Sequence, residues 1–330
     1  MIAFLECSLK FAKDKKDYSF RIMKILPKIK TITRFVRYYS PLGYYYRRHS
    51  LYTRTGKIAL CCIAKLENRY IRDFVEYYKD LHFDKIFLYD NNDVDGERFE
   101  EVIEDFIASG FVEVVDFRGR KVAQLEAYED CSARHSREFD WIAFFDCDEY
   151  LTFTDNSTDI HAFLSQEKFL PYQAIHVNWM VFGDNELLDY DGRSVTERFI
   201  NPVLPLNFVT HNRPVNNHIK TIIRGGKGMS SLKWHSPHTP HSDYLRCCSP
   251  EAVETDIRSP FQDFVFETVY LRHFSTKTIG EWITNKMKRG FPDRTEAEWE
   301  KMMTLDLFFE CNKRTPEKLA YAEQIKGKLK

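Results

Sequence analysis

Residues 141–151 read Trp-Ile-Ala-Phe-Phe-Asp-Cys-Asp-Glu-Tyr-Leu, five apolar side chains followed by three carboxylates (Asp146, Asp148, Glu149) within four positions. An unbroken apolar run of this length marks a strand covered on both faces, as in parallel sheets. Two acids at i and i+2 on extended chain repel each other unless a cation lies beside them. Hard divalent ions take carboxylate oxygens and complete their shell with substrate phosphates, so a DxD at a strand end is a candidate seat for a metal-diphosphate. The alternative is a solvated acidic turn.

Outward from this stretch the pattern alternates. Residues 57–64 (KIALCCIA), 85–89 and 112–117 are further apolar runs. Apolar residues at 71, 74, 75, 78 and 81 form a helical stripe between the first two, and those at 99, 102, 103, 106 and 107 form another, closed by Gly110. Residues 122–138 complete a β-α-β-α-β-α-β order. That order predicts an α/β fold: a mostly parallel, Rossmann-like sheet with helices on both faces and ligands at the carboxyl ends of its strands. Beyond 150 the pattern is mixed. Strands are expected at 174–181, 193–200, 219–223 and 269–273, long loops at 201–218 and 224–262, and helices at 276–288, 294–309 and 315–329.

The chain has 330 residues, 43% of them hydrophobic and 29% charged, which excludes wholesale disorder. No apolar run reaches the roughly 18 residues that span a bilayer. The first residues lack the features of a secretory leader. The net charge of −1 is unevenly spread: residues 1–57 hold 14 Lys and Arg against three acids, a local charge of +11, leaving −12 for the remainder. Apolar residues at 22, 23, 25, 26, 29, 32, 35 and 36 run among these basic ones, the composition of a segment that lies on anionic lipid; a basic extension packed on the acidic body is the alternative. The eight cysteines form no CxxC pair and are expected to be reduced thiols.

Other constellations sit where strands end. Lys65-Leu66-Glu67 follows the first strand, where Glu67 either accepts from a nucleobase or ribose or caps the next helix. Tyr89-Asp90-Asn91 follows the second and shares that crevice. His235, His238 and His241 lie in a proline-interrupted loop whose spacing fits no common zinc site. His273 follows a late strand and precedes Lys277, Lys286 and Arg289.

Taken in order, these pieces resemble glycosyltransferase family 92 and related bacterial family-2-like enzymes. They are Lys65 and Glu67, Tyr89-Asp90-Asn91, Gln124 with Tyr128 and Cys131, Asp146-x-Asp148-Glu149-Tyr150, Trp179 with Phe182-Gly183, Glu197-Arg198-Phe199, Lys220, His238, and His273 with Lys277, Lys286 and Arg289-Gly290. Leu66 and Phe274 depart from the pattern. The resemblance covers about residues 57–290 and implies a GT-A fold, with a nucleotide-sugar half (57–150) and an acceptor half (151–290), between a basic extension (1–56) and C-terminal helices (291–330). It implies inverting, Mn²⁺- or Mg²⁺-dependent transfer of a hexose, galactose or glucose, from a nucleotide-sugar such as a UDP-hexose to a glycan or lipid-linked acceptor. A role in bacterial surface polysaccharide or lipopolysaccharide synthesis is expected, and the expected location is cytoplasmic, peripheral on the inner leaflet. Metal binding then falls to Asp146, Asp148 and His273. Lys65, Glu67, Asp90, Asp146, Lys220 and His238 would contact the nucleotide-sugar, and Asp184 or Glu197 would be the base. Of the rivals, a haloacid-dehalogenase-type phosphotransferase would carry its nucleophilic Asp after the first strand, where this chain has Lys65-Leu66-Glu67. Nucleic-acid binding by the basic arm lacks an accompanying motif. A silent GT-A-like module that binds a glycan or partner is the remaining alternative.

Overall fold

The computed structural model describes residues 52–155, 158–210, 213–241 and 245–329. The basic amphipathic segment lies outside the described residues. The run at 57–64 forms β1 (Ile58–Ala64), buried along its whole length. Its side chains alternate between two cores. Ile58, Leu60, Cys62 and Ala64 join one face, with Tyr70, Ile71, Phe74, Val75 and Tyr78 of α1 (Asn68–Asp80). Ala59, Cys61 and Ile63 join the other, with Ala127, Tyr128 and Cys131 of α3 (Gln124–His135). This period of two is the reason a continuous apolar run is needed where helices cover both sides.

β2 (Lys85–Asp90), α2 (Glu100–Ala108), β3 (Val112–Asp116) and β4 (Trp141–Phe144) complete the first half. Gly110, at φ +78°, lies just past the end of α2; glycine takes this left-handed conformation without Cβ strain. β1 pairs in parallel with β2 and β4, and β2 with β3. β6 (Ala174–Val181) and β7 (Ile219–Arg224) extend the sheet, β7 lying antiparallel between β4 and β6. The strand order is Glu254–Thr255, Cys247–Cys248, β6, β7, β4, β1, β2, β3. The chain thus has the α/β arrangement expected from its alternation: a mostly parallel sheet with helices on both faces and one reversed strand inserted at its centre.

Three elements differ from expectation. Glu149–Phe153, directly after the acidic motif, is a strand (β5), paired antiparallel with β8 (Val269–His273). Residues 193–200 hold a short helix, Val195–Arg198, rather than a strand, because Ser194 and Glu197 close a reciprocal capping box. The helix expected over 294–309 is two, α4 (Glu296–Met302) and α5 (Leu305–Cys311), since the Thr304 hydroxyl accepts from the Leu307 N–H and starts a new helix. These helices and α6 (Pro316–Leu329) share a separate apolar cluster with Ile279, Trp282 and Ile283. Among the described residues no helix is long and apolar enough to cross a membrane.

Candidate active site

The motif Asp146-Cys147-Asp148 lies between β4 and β5. Cys147 turns down into the core with Cys62 and Phe145. Asp146 is held from three sides: Gln124 Nε2 and the Tyr128 hydroxyl donate to Oδ1 at 2.7 and 3.1 Å, and Lys220 Nζ of β7 lies 2.8 Å from Oδ2. Gln124 and Tyr128 are one turn apart on α3, so a single helix face fixes this carboxylate. Glu149 is wholly buried, accepts from the Asp146 N–H at 2.8 Å and lies 3.8 Å from Lys220. Burial pushes Glu149 well above the ordinary carboxylate range, with Lys220 opposing and Asp146 and Asp148 adding to the rise.

The β5–β8 register sets Glu149 opposite His273, and the Phe274 N–H donates to the Asp148 carbonyl at 2.9 Å. His273 Nε2 therefore lies 3.7 Å from Asp148 Oδ1. Oδ2 of Asp148 faces Lys286 Nζ at 2.5 Å and Arg289 at 3.3 Å. Burial by itself would raise the Asp148 pKa; the charges of Lys286 and Lys277 overcome it and hold the carboxyl well below its ordinary range. Burial brings His273 down to about 3 despite Asp148, so its imidazole is neutral near pH 7. Glu67 pairs with Arg289 and lies 3.8 Å from Lys277. The floor of the site thus holds Glu67, Asp146, Asp148 and Glu149 against Lys220, Lys277, Lys286 and Arg289.

Above this floor opens a cleft of about 900 Å³. Lys65, Asn91, Arg120 and Lys121 border it at the β1–β2 end, and Trp179, His218 and His238 form one wall. Phe291, Trp299 and Met302 form another. A sequence profile of glycosyltransferase family 92 matches residues 59–303. The chain belongs to glycosyltransferase family 92. Family 92 proteins of Oryza sativa subsp. japonica and Ricinus communis are 27% identical over 113 residues and 29% identical over 97. Those matches cover 34% and 29% of this chain but only 19% and 16% of the relatives' lengths. Among solved structures, S. aureus TarS in complex with UDP aligns over 51% of this chain and 46% of its own, at 13% identity and a TM-score of 0.32. A second TarS structure aligns over 82% and 79%, at 10% identity and a TM-score of 0.34.

Within the family 92 chain, the residues singled out by sequence separate into three groups. Asp146, Asp148, His273, His238 and Lys65 all border the cleft. The His238 Nδ1–H donates to the Ile219 carbonyl at 2.8 Å, and its ring lies 5.2 Å from that of Trp179. Lys65 pairs with Asp93 at 2.7 Å. Lys220, Glu67 and Asp90 lie behind the cleft and serve its walls. The Lys220 side chain is 0% exposed and acts as counter-ion to Asp146 and Glu149. Glu67 precedes α1 but makes no cap bond; its oxygens face Arg289 and Lys277. Asp90 is consumed at the end of β2, where Asn92 donates to Oδ1 and Arg118 lies 2.5 Å from Oδ2. Asp184 and Glu197 lie off the cleft. Asp184 is buried against Lys318 Nζ at 2.6 Å, and Glu197 is an exposed capping residue.

The donor atoms at the centre fit a divalent ion. A separation of 3.7 Å is too long for a hydrogen bond, and two ligands of one ion with bonds of about 2.1 Å can span it. The pair is a carboxylate oxygen and a neutral imidazole nitrogen, both accepted by Mn²⁺. Among the described residues no cluster of three His, Cys, Asp or Glu side chains could hold a metal, so such an ion would take its remaining ligands from phosphate and water.

Proposed function

We propose that this chain catalyses inverting transfer of a hexosyl group, galactose or glucose, from a nucleotide-sugar to a hydroxyl of a glycan or lipid-linked acceptor. The observation that carries the reading is the approach of His273 to Asp148 in a cleft shared with Asp146, within a family 92 chain. Asp148 and His273 would hold Mn²⁺ or Mg²⁺, with Asp146 turned to the ribose. The ion, when bound, offsets the charge that builds on the departing nucleoside diphosphate. Lys286 and Arg289 line the cleft and face Asp148, and exchange of that partner for phosphate oxygens would free the carboxylate for the metal. Lys65, Asn91 and Arg120 border the end of the cleft suited to the nucleoside.

The ion pairs on Asp148 also suit a silent, partner-binding module, in which Lys286 never leaves. One experiment separates the readings. A screen of nucleotide-sugars with Mn²⁺, scored by nucleoside-diphosphate release, is expected to show turnover that chelation abolishes and added metal restores. No release from any donor, with the protein folded, would refute the transferase reading. For residues 1–56 we propose contact with anionic lipid, tested by salt-sensitive binding of the whole chain to vesicles containing phosphatidylserine.

A further inference from the structure

An inverting transfer needs a base on the acceptor side, and neither Asp184 nor Glu197 reaches the cleft. Six carboxylates do border it: Asp93, Asp146, Asp148, Asp293, Glu296 and Glu310. Asp93 is committed to Lys65, and Asp146 and Asp148 to the ion pairs described above. Glu310 has interactions of its own, and Glu296 is exposed in the first turn of α4. Asp293 is half-buried and, among the described residues, has no ion pair or hydrogen bond from another side chain.

The loop that carries Asp293 is fastened on both sides. The Gln124 N–H donates to the Pro292 carbonyl at 3.3 Å, and the Gln124 side chain holds Asp146. One residue thus ties the Asp293 loop to the DxD motif. On the other side, Gly290 has φ +67°, and the Trp299 ring lies where a Cβ on that residue would project. The loop leaves the Lys286–Arg289 helix at a glycine and is pinned there by an indole. Asp293 lines the cleft, within electrostatic reach of Asp146 and Lys220, and Arg294 is its other charged neighbour.

Resting on the transferase reading above, we propose that Asp293 is the catalytic base, its carboxylate accepting the proton of the acceptor hydroxyl. As that proton moves to Asp293, the hydroxyl oxygen bonds to C1 of the donor sugar. The bond from C1 to the phosphate oxygen breaks with its electron pair on the leaving nucleoside diphosphate. Burial and Asp146 raise the Asp293 carboxyl above its ordinary range, with Arg294 and Lys220 opposing; a more basic carboxylate is a better proton acceptor.

The test uses the full chain, Mn²⁺ and UDP-galactose or UDP-glucose. In Asp293→Asn, UDP release should fall by roughly 10²–10⁴-fold, the usual contribution of a positioned base, while the Kd for UDP stays within about threefold. In Asp293→Ala, added azide should restore UDP release and yield the β-glycosyl azide, because azide attacks C1 without needing to lose a proton. A merely structural role would show no such rescue. Wild-type release in either variant, a parallel loss of UDP affinity, or failure of azide to rescue would overturn the assignment while leaving the transferase reading intact. A wild-type protein that releases no UDP from any donor would overturn both.

Discussion

Arg198→Met probes the ion pair that anchors the helical stretch carrying Lys286 and Arg289. The Arg198 side chain is 0% exposed, and its Nη1 and Nη2 donate to Glu281 Oε2 and Oε1 at 2.8 and 2.9 Å. The Glu281 carboxylate also accepts from the Tyr70 hydroxyl at 2.6 Å and the Thr278 hydroxyl at 2.7 Å. Burial alone would raise the Glu281 pKa, but Arg198 holds it below the ordinary range, so the residue is charged. Methionine fills much of the lost volume, and the cost is that of leaving a buried carboxylate without its cation. Breaking a buried pair in this way costs about 3–5 kcal/mol. Tyr70 and Thr278 still donate, which places the expectation at the low end, about 3 kcal/mol. At about 2–4 °C per kcal/mol for a large domain, the thermal midpoint should fall by about 6–12 °C. Urea unfolding followed by far-ultraviolet circular dichroism measures the loss. Adding Glu281→Gln should recover about 2 kcal/mol, because the stranded charge is removed. A loss under about 1 kcal/mol in the single variant, or a double variant as unstable as the single, would refute the reasoning.

Three further outcomes follow from the same structure. Asp148→Asn should remain folded while Mn²⁺ binding, read by electron paramagnetic resonance in the presence of UDP, falls at least tenfold; unchanged binding would remove Asp148 from the metal site. Burial brings His176 of β6 down to about 3, so below its unfolded pKa near 6.5 the unfolded chain takes a proton that the folded one does not. That stability is present above pH 6.5 and is lost as pH falls, by about 2 kcal/mol at pH 5; His176→Gln should shrink the urea-measured loss between pH 7.5 and 5 by that amount, and an identical loss in both proteins would contradict it. Gly290→Ala should cost at least about 1 kcal/mol from its positive φ alone, and a red shift in tryptophan fluorescence should report displacement of Trp299; an unshifted spectrum with full stability would refute the close packing.

What was legible in the sequence was local. β1 and β4 announce themselves because strands covered on both faces must be apolar at every position, and the acids of residues 146–149 stand out because they end such a run. His273 was legible only as a histidine after a strand. Its approach to Asp148 depends on the β5–β8 register, which joins Glu149 to a residue 124 positions later, and no local pattern encodes that pairing. The counter-ions were hidden for the same reason. The resemblance assigns Lys220 to the nucleotide-sugar, but β7 runs between β4 and β6 and drives its ammonium beneath Asp146. Glu67 and Asp90 sit at strand ends facing the crevice in sequence, yet Arg289 and Arg118, distant in the chain, claim them. Glu197 belongs to a Ser-x-x-Glu signature that marks a helix start, and reading that signature as a cap would have withdrawn it from the list of bases.

The central place of β7 has a consequence for the order in which the chain assembles. β1, β2, β3 and β4 lie within residues 58–144 and pair with one another, so this half can form as it is synthesised. The edge of β4 then stays open until residue 224 is made, and β6, though earlier in the chain, has no place in the sheet before β7 arrives. Over that interval Asp146 and Glu149 lack Lys220, and Asp148 waits longer still for Lys286. The nascent chain therefore passes through a stage with an unpaired strand edge and a knot of uncompensated acids beside it. The repulsion among those acids would discourage that edge from pairing with another chain, a protective role for the carboxylates that ends when the last third of the sequence closes over them.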